Sequence, residues 1–227
     1  VKNGIDWLIN EQDIATGDLR GKRPAGNGMY SHGIGALAMV EAYGVTKDNE
    51  IRPYAQAAID FIADSQHKEG GWRYRPNERG DLSVSGWFIM ALVSAEMSGL
   101  NINKETMERA IKFLDRVSGG KDGGSYGYTD SPGKRNSGKN ALNAVGFFCS
   151  QILGRSPNTK KAFESANLID AAGFQLNDIY YVYYGTLAAY QHQGPVWEKW
   201  LDQMQNKFVS SQLNDGSWPV GAGHGNQ

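Results

Sequence analysis

One phrase occurs twice in this chain: Gln66-x-x-x-Gly70-x-Trp72 returns as Gln212-x-x-x-Gly216-x-Trp218, 146 positions later (212 − 66). Degenerate copies stand between and before them. Trp7-Leu8 is followed by Gln12 and Gly17, and Phe113-Leu114 by Gly123-Gly124-Ser125-Tyr126. Each copy follows an apolar stretch of helical spacing and closes in a glycine-rich turn. A unit recurring on this scale cannot bury its apolar face alone, so the pattern predicts copies stacked on a shared core.

Glycines punctuate the units. Gly44, Gly99, Gly154 and Gly194 follow the apolar runs 36–43, 87–98, 141–153 and 180–193, where a helix stop is expected. Eight residues before each stands a small or short side chain, Ala36, Ala91, Gly146 or Thr186, with a bulky apolar neighbour after it. Those runs are apolar on nearly every side and read as inner helices, packed on both faces. The alternate segments 3–12, 53–66, 105–118, 158–170 and 196–212 carry apolar stripes beside charged faces and read as outer helices. Asp81, Asn136 or Ser137, and Asp178 stand where inner helices begin, as N-caps. The sum is an all-α chain of nine helices, five outer and four inner, in two layers of antiparallel hairpins forming one domain over residues 1–227. The fourth unit is shortened, and residues 221–227 break off where a fifth inner helix is due.

Composition removes several function classes. Net charge is −1 and the longest basic run is Lys22-Arg23 within Gly21-Lys22-Arg23-Pro24, too little for a nucleic-acid footprint. The single cysteine, Cys149, excludes an internal disulfide framework and sits in an apolar helical run. No apolar run reaches the ~20 residues of a membrane span. The chain begins at Val1 rather than Met and reads as excised or processed, which leaves its compartment open, export included.

The pattern of Arg109-Ala110-x-x-Phe113-Leu114 and Ala58-x-x-Phe61-Ile62, followed by Gln66-x-x-x-Gly70-x-Trp72, resembles the QW repeat of squalene–hopene and oxidosqualene cyclases. The segments 70–76 and 81–87 are most similar to bacterial squalene-cyclase-like repeat proteins of unassigned activity. The resemblance covers nearly the whole chain and implies an open or partial α/α toroid, shared with protein prenyltransferase β subunits. In such a fold the Gln amide satisfies backbone groups at an outer-helix end and the Trp covers the turn, so the phrase is scaffold.

The chemistry implied by the resemblance is incomplete here. The cyclases protonate substrate with D-x-D-D, whose matching stretch is Glu78-Arg79-Gly80-Asp81, with Gly80 in the proton donor's place. Asp81 then reads better as a helix cap than as an acid. The prenyltransferase zinc site needs Asp, Cys and His; Cys149 lies late in its helix, and His32, His67, His192 and His224 have no ligand spacing. The 223–227 stretch, Gly-His-Gly-Asn-Gln, echoes a complement-type thioester without the cysteine that forms it. No metal and no cofactor is expected, since no phosphate loop or Asp-rich magnesium motif is present either.

Residues at inner-helix starts and after the turns remain as candidates. Asp81, His32 and Tyr181 are the catalytic candidates; Arg73, Tyr74, Trp87, Asp178, Tyr180 and Tyr184 are the ligand-binding ones, with Arg75, Lys139 and Asn140 nearby. In Tyr180-Tyr181-Val182-Tyr183-Tyr184, successive rings point around the helix, so two or more are expected at a cavity or its rim. Arg73 and Arg75 can meet an anion such as a diphosphate or uronate, or pair with Glu69, Glu78 and Asp81. Three functions fit: a cyclase-like repeat domain without the acid, binding a hydrophobic, isoprenoid or extended ligand or a partner; a polysaccharide lyase or glycoside hydrolase with an aromatic groove; or a scaffold domain of a larger protein.

Overall fold

The computed structural model describes residues 1–21, 26–131 and 139–218. The Lys22-Arg23-Pro24 run, the Asn136 or Ser137 cap and the final stretch with His224 lie outside the described residues. The described chain is mostly helical. Its elements are α1 (Lys2–Glu11), α2 (Gly28–Thr46), α3 (Arg52–Asp64), α4 (Leu82–Ser98), α5 (Lys104–Val117), β1 (Ser118–Gly119), β2 (Ser125–Tyr126), α6 (Asn140–Ile152), α7 (Lys160–Ala172), α8 (Ile179–His192) and α9 (Gly194–Lys207). The described residues thus hold nine α-helices, a single 3-10 turn (Val209–Ser211) and two short strands, joined by loops. They divide into two compact units, 1–116 and 117–227.

In the first unit α2 and α4 pack side by side, and α1 and α3 lie against α2. Met29, Ala36, Met39 and Val40 of α2, with Phe88, Ile89, Ala91 and Leu92 of α4, are all fully buried. Asp81 caps α4 as the sequence suggests, its side chain accepting from the Val84 N–H. Gly99, at φ 80°, closes the same helix. The stop expected at Gly44 is displaced: α2 continues to Thr46, with Lys47 in the left-handed conformation. Gly44 serves close packing instead, since a Cβ there would lie 2.4 Å from Ser98 Oγ.

In the second unit α6 packs against α8, flanked by α7 and α9. β1 and β2 form a minimal antiparallel ladder, Ser118 opposite Tyr126 and Gly119 opposite Ser125. Asp178 caps α8 through the Tyr181 N–H, and Thr159 caps α7 through the Ala162 N–H. Gln193, not Gly194, is the last residue of the α8 stop (φ 65°), and α9 begins immediately at Gly194. The small residues expected between neighbouring helices seat aromatic rings. A Cβ on Gly146 would fall 2.1 Å from the Tyr126 ring, and one on Gly185, rather than Thr186, 2.5 Å from the Trp200 ring. Thr186 instead accepts the Trp200 indole N–H at 3.0 Å.

Candidate functional site

At Gln66 and at Gln12 the phrase is a clamp between a turn and the next amphipathic helix, whereas Gln212 donates to Gly216 O of its own turn at 2.8 Å. Gln66 donates through Nε2 to the Thr106 carbonyl on α5 at 2.9 Å and accepts from Arg109 Nε at 2.7 Å. The degenerate Gln12 does the same, donating to Tyr54 O on α3 and to Gly17 O, both at 3.0 Å. In three of the turns the glycine sits against a helix carbonyl: a Cβ on Gly17 would lie 2.1 Å from Ala57 O, on Gly70 2.2 Å from Arg109 O, and on Gly124 2.5 Å from Lys161 O, whereas one on Gly216 would meet only the Gln212 side chain, at 4.0 Å. Trp72 is fully buried, stacks on Phe88 at 5.0 Å and donates its indole N–H to Ile62 O. Trp218 repeats that bond to Phe208 O, again ten residues upstream, and stacks on Phe208 at 4.4 Å.

The 118–126 turn lacks the Gln and reverses the direction of the clamp. The Glu164 carboxylate on α7 accepts the N–H groups of Lys121, Asp122 and Gly124 at 2.8, 2.8 and 2.7 Å. Burial works against the charged carboxylate, but these three donors outweigh it and hold the group below the ordinary glutamate range.

A second set of bonds ties each turn to an enclosed helix, and it decides the standing of His32. Leu19 N–H donates to His32 Nδ1 at 3.1 Å, Trp72 N–H to Ser85 Oγ at 2.8 Å, and Tyr126 N–H to Asn143 Oδ1 at 2.8 Å. Leu19, Trp72 and Tyr126 each lie two residues beyond the clamp glycine. His32 is therefore one of three equivalent anchors, alongside Ser85 and Asn143. Its Nδ1 must be unprotonated to accept, which leaves Nε2–H to donate to Ala58 O at 3.1 Å. The ring has no exposed surface, and burial pulls its pKa down to about 4, against the opposing pull of Asp18. Both nitrogens being committed to backbone, the residue offers no general base to a substrate.

Because the folded imidazole stays neutral where the unfolded one takes a proton, this stabilisation is complete above pH 6.5 and is lost as pH falls toward 4. Urea unfolding at pH 7 and pH 4.5 is expected to show a loss of roughly 3 kcal/mol that His32→Asn, which preserves an acceptor, largely removes.

Asp81 is equally committed. It is fully buried, its Oδ1 accepts from Val84 N at 3.0 Å and Ser83 Oγ at 2.6 Å, and its Oδ2 lies 3.7 Å from Arg73 Nε. Gly80 has no room for any side chain: a Cβ would meet the Gly71 backbone at 2.8 Å. Arg73 also pairs with Glu78 at 3.5 Å, and Arg79 with Glu69 at 3.6 Å, so these two arginines take the pairing alternative.

Beside these groups stands a half-buried aromatic cluster. Tyr30, on the first turn of α2, meets Ser83 Oγ at 2.6 Å, and the Ser83 hydroxyl donates to Asp81 Oδ1 at 2.6 Å. The Tyr30 and Tyr74 rings lie 6.2 Å apart, with the Arg73 guanidinium 5.4 Å from the Tyr74 centroid. Tyr30, Arg73, Tyr74 and Trp87 are all half-buried. Burial raises the Tyr30 hydroxyl above the ordinary phenol range, which keeps it un-ionised and makes it a poor proton donor. Tyr30 and Ser83 escaped the sequence reading; their signal is a hydroxyl on the first turn of an apolar helix.

In the second unit the tyrosine run is mostly core. Tyr181 and Tyr184 are fully buried, Tyr180 is half-buried and Tyr183 is exposed. Tyr181 packs edge-on against Trp200 at 5.6 Å, and Tyr184 is enclosed by Phe148, Tyr180 and Tyr183. Burial pushes both hydroxyls above the free phenol range, so Tyr181 is placed as packing and not as a base. Asp178 is a cap, Lys139 precedes α6 without a side-chain cap bond, and Arg75 is exposed. Cys149 is fully buried and its thiol is pushed up to about 12, which keeps it un-ionised and inert.

Among the described residues no cluster of three or more His, Cys, Asp or Glu side chains is placed to hold a metal ion, and no helix is long and apolar enough to cross a membrane. Comparison with family models, curated proteins and solved structures finds no match to the chain.

Proposed function

We propose that this chain is a ligand-binding helical repeat domain of the squalene-cyclase-like kind, its helices arranged as an α/α toroid, and that it does not catalyse. One observation carries the reading: the groups able to move a proton are spent on the fold, while the aromatic groups beside them remain accessible. His32 and Asp81 hold turns and a helix end, and Tyr181 is core. Tyr30 and Tyr74, by contrast, are half-buried, beside an Arg73 side chain that is 31% exposed. Such a surface suits an extended ligand with flat apolar faces and polar edges, a sugar chain or a prenyl chain with a polar head.

Calorimetric titration with a panel of soluble polysaccharides, and with farnesol in detergent, tests this directly. Binding is expected from one class, with Tyr74→Ala weakening it at least tenfold and leaving the thermal midpoint unchanged. Release of unsaturated or reducing ends would replace the reading with the polysaccharide-cleaving enzyme. A cyclised product from squalene would show that an acid exists after all. No binding by either class would leave a scaffold.

A further inference from the structure

The sequence makes α2 and α8 apolar on nearly every side, as a helix is when neighbours enclose it all round. In the structure each keeps one side open. On α8 that side carries Ile179, Tyr183 and Tyr190, which are 43%, 39% and 56% exposed, with Leu187 half-buried among them. Steps of four, four and three residues put all of them on one stripe of the helix. On α2 the open stripe has the same steps: Ile34 and Val45, 45% and 86% exposed, with Ala38 and Ala42 half-buried between them. Single exposed apolar residues are ordinary on a protein surface, whereas a continuous stripe marks a contact face.

Within each unit the enclosed helices show how such faces meet. α2 and α4 run parallel, since Tyr30 meets Ser83, Gly33 meets Phe88 and Gly44 meets Ser98 in ascending order. α6 and α8 do likewise, through Phe148 with Tyr184 and Gln151 with Ala188. In the first pair a small residue receives a ring: a Cβ on Gly33 would lie 2.9 Å from the Phe88 ring. The two open stripes are complementary in the same sense. α8 offers two tyrosine rings and a leucine, and α2 offers the shallow hollow over Ala38 and Ala42. Glu41, exposed at the edge of that hollow, supplies an acceptor for a phenol hydroxyl seated there.

We propose that the open face of α8 docks on the open face of α2 in a second copy of this chain, head to tail and with the two helices parallel. Symmetric pairings fit worse. Two α8 faces would set ring against ring with no hollow to receive them, and two α2 faces would bring the Glu41 carboxylates together. Because the docking faces differ, a pair of copies still holds one open α2 and one open α8, so association runs past two. A single helix pair buries less than a standard interface, which puts the affinity at about 10–100 µM. Neither stripe includes Tyr30, Tyr74 or Arg73, so the contact stands or falls separately from ligand binding.

Sedimentation velocity and 15N amide spectra of the chain, recorded from about 5 to about 500 µM, test the contact. Expected are species that grow with concentration, and amide shifts on both stripes, at 34–45 and 179–190. Ile34→Lys blocks one face and Tyr190→Lys the other. Each alone should associate at least tenfold more weakly, with helix content unchanged because both positions are exposed. Mixed in equal amounts, the two variants should regain the wild-type affinity and stop at two copies, since each keeps the face the other lacks. A wild-type chain that stays monomeric at the highest concentration overturns the proposal and leaves the stripes to another segment or protein. Wild-type association by Ile34→Lys alone, or shifts confined to one stripe, would show a symmetric contact and overturn it too. The wild-type spectra decide the matter even where a variant folds poorly.

Discussion

Gly70→Ala is expected to cost about 3 kcal/mol in urea unfolding, against about 1 kcal/mol for Gly99→Ala. Both glycines have nearly the same backbone conformation, φ 85° and φ 80°. A left-handed alanine is strained at either place, so the shared backbone effect cancels in the comparison. Their surroundings differ. Nothing lies within 4 Å of a Cβ at Gly99, whereas one at Gly70 would be driven to 2.2 Å from the Arg109 carbonyl. A helix carbonyl cannot swing aside as a side chain can, so the turn must lift from α5. That lifting also stretches the Gln66 bond to Thr106. Equal costs for the two substitutions would mean that the turn does not rest on the helix as described.

Trp72→Ala is the second large effect, expected near 4 kcal/mol. The substitution empties a site with no exposed surface, removes the stack on Phe88 at 5.0 Å and leaves Ile62 O without its indole donor. Trp72→Phe keeps much of the ring and loses only the donor and some volume, so roughly 1–2 kcal/mol is expected. The same truncation at Trp218, which has the equivalent bond and stack but remains half-buried, should cost less than half as much as at Trp72. Similar losses at both tryptophans would contradict the account of burial at the first.

These contrasts show how far the sequence could be read. The phrase around Gln66 and Trp72 located a turn and the helices on either side of it, because helical periodicity and glycine punctuation are local signals. Helix ends were legible where a cap side chain marks them, as at Asp81 and Asp178, and illegible at Gly44, where the glycine serves a neighbour's Ser98 rather than its own helix. The candidate site was harder for the same reason. His32 looks reactive in the sequence because imidazole is versatile. Its role depends on two backbone groups, Leu19 N–H and Ala58 O, which lie 13 and 26 positions away. Ser85 and Asn143 fill the corresponding role, yet no residue-type signal connects a histidine, a serine and an asparagine. Their shared property is being the polar group that meets the turn from an otherwise apolar helix. Tyr181 and Tyr184 were indistinguishable from Tyr180 and Tyr183 by type; only the packing of Trp200 and Phe148 sorts core from surface.

The groups that resemble catalysts anchor the turns, His32 most clearly. Nitrogen NMR of the labelled imidazole, followed from pH 8 to pH 4, measures both the tautomer and the titration. The expected result is the Nε2–H form, with Nδ1 unprotonated until pH approaches 4. A His32 that titrates between pH 6 and 7, or that carries its proton on Nδ1, would contradict it and return the residue to the list of general bases.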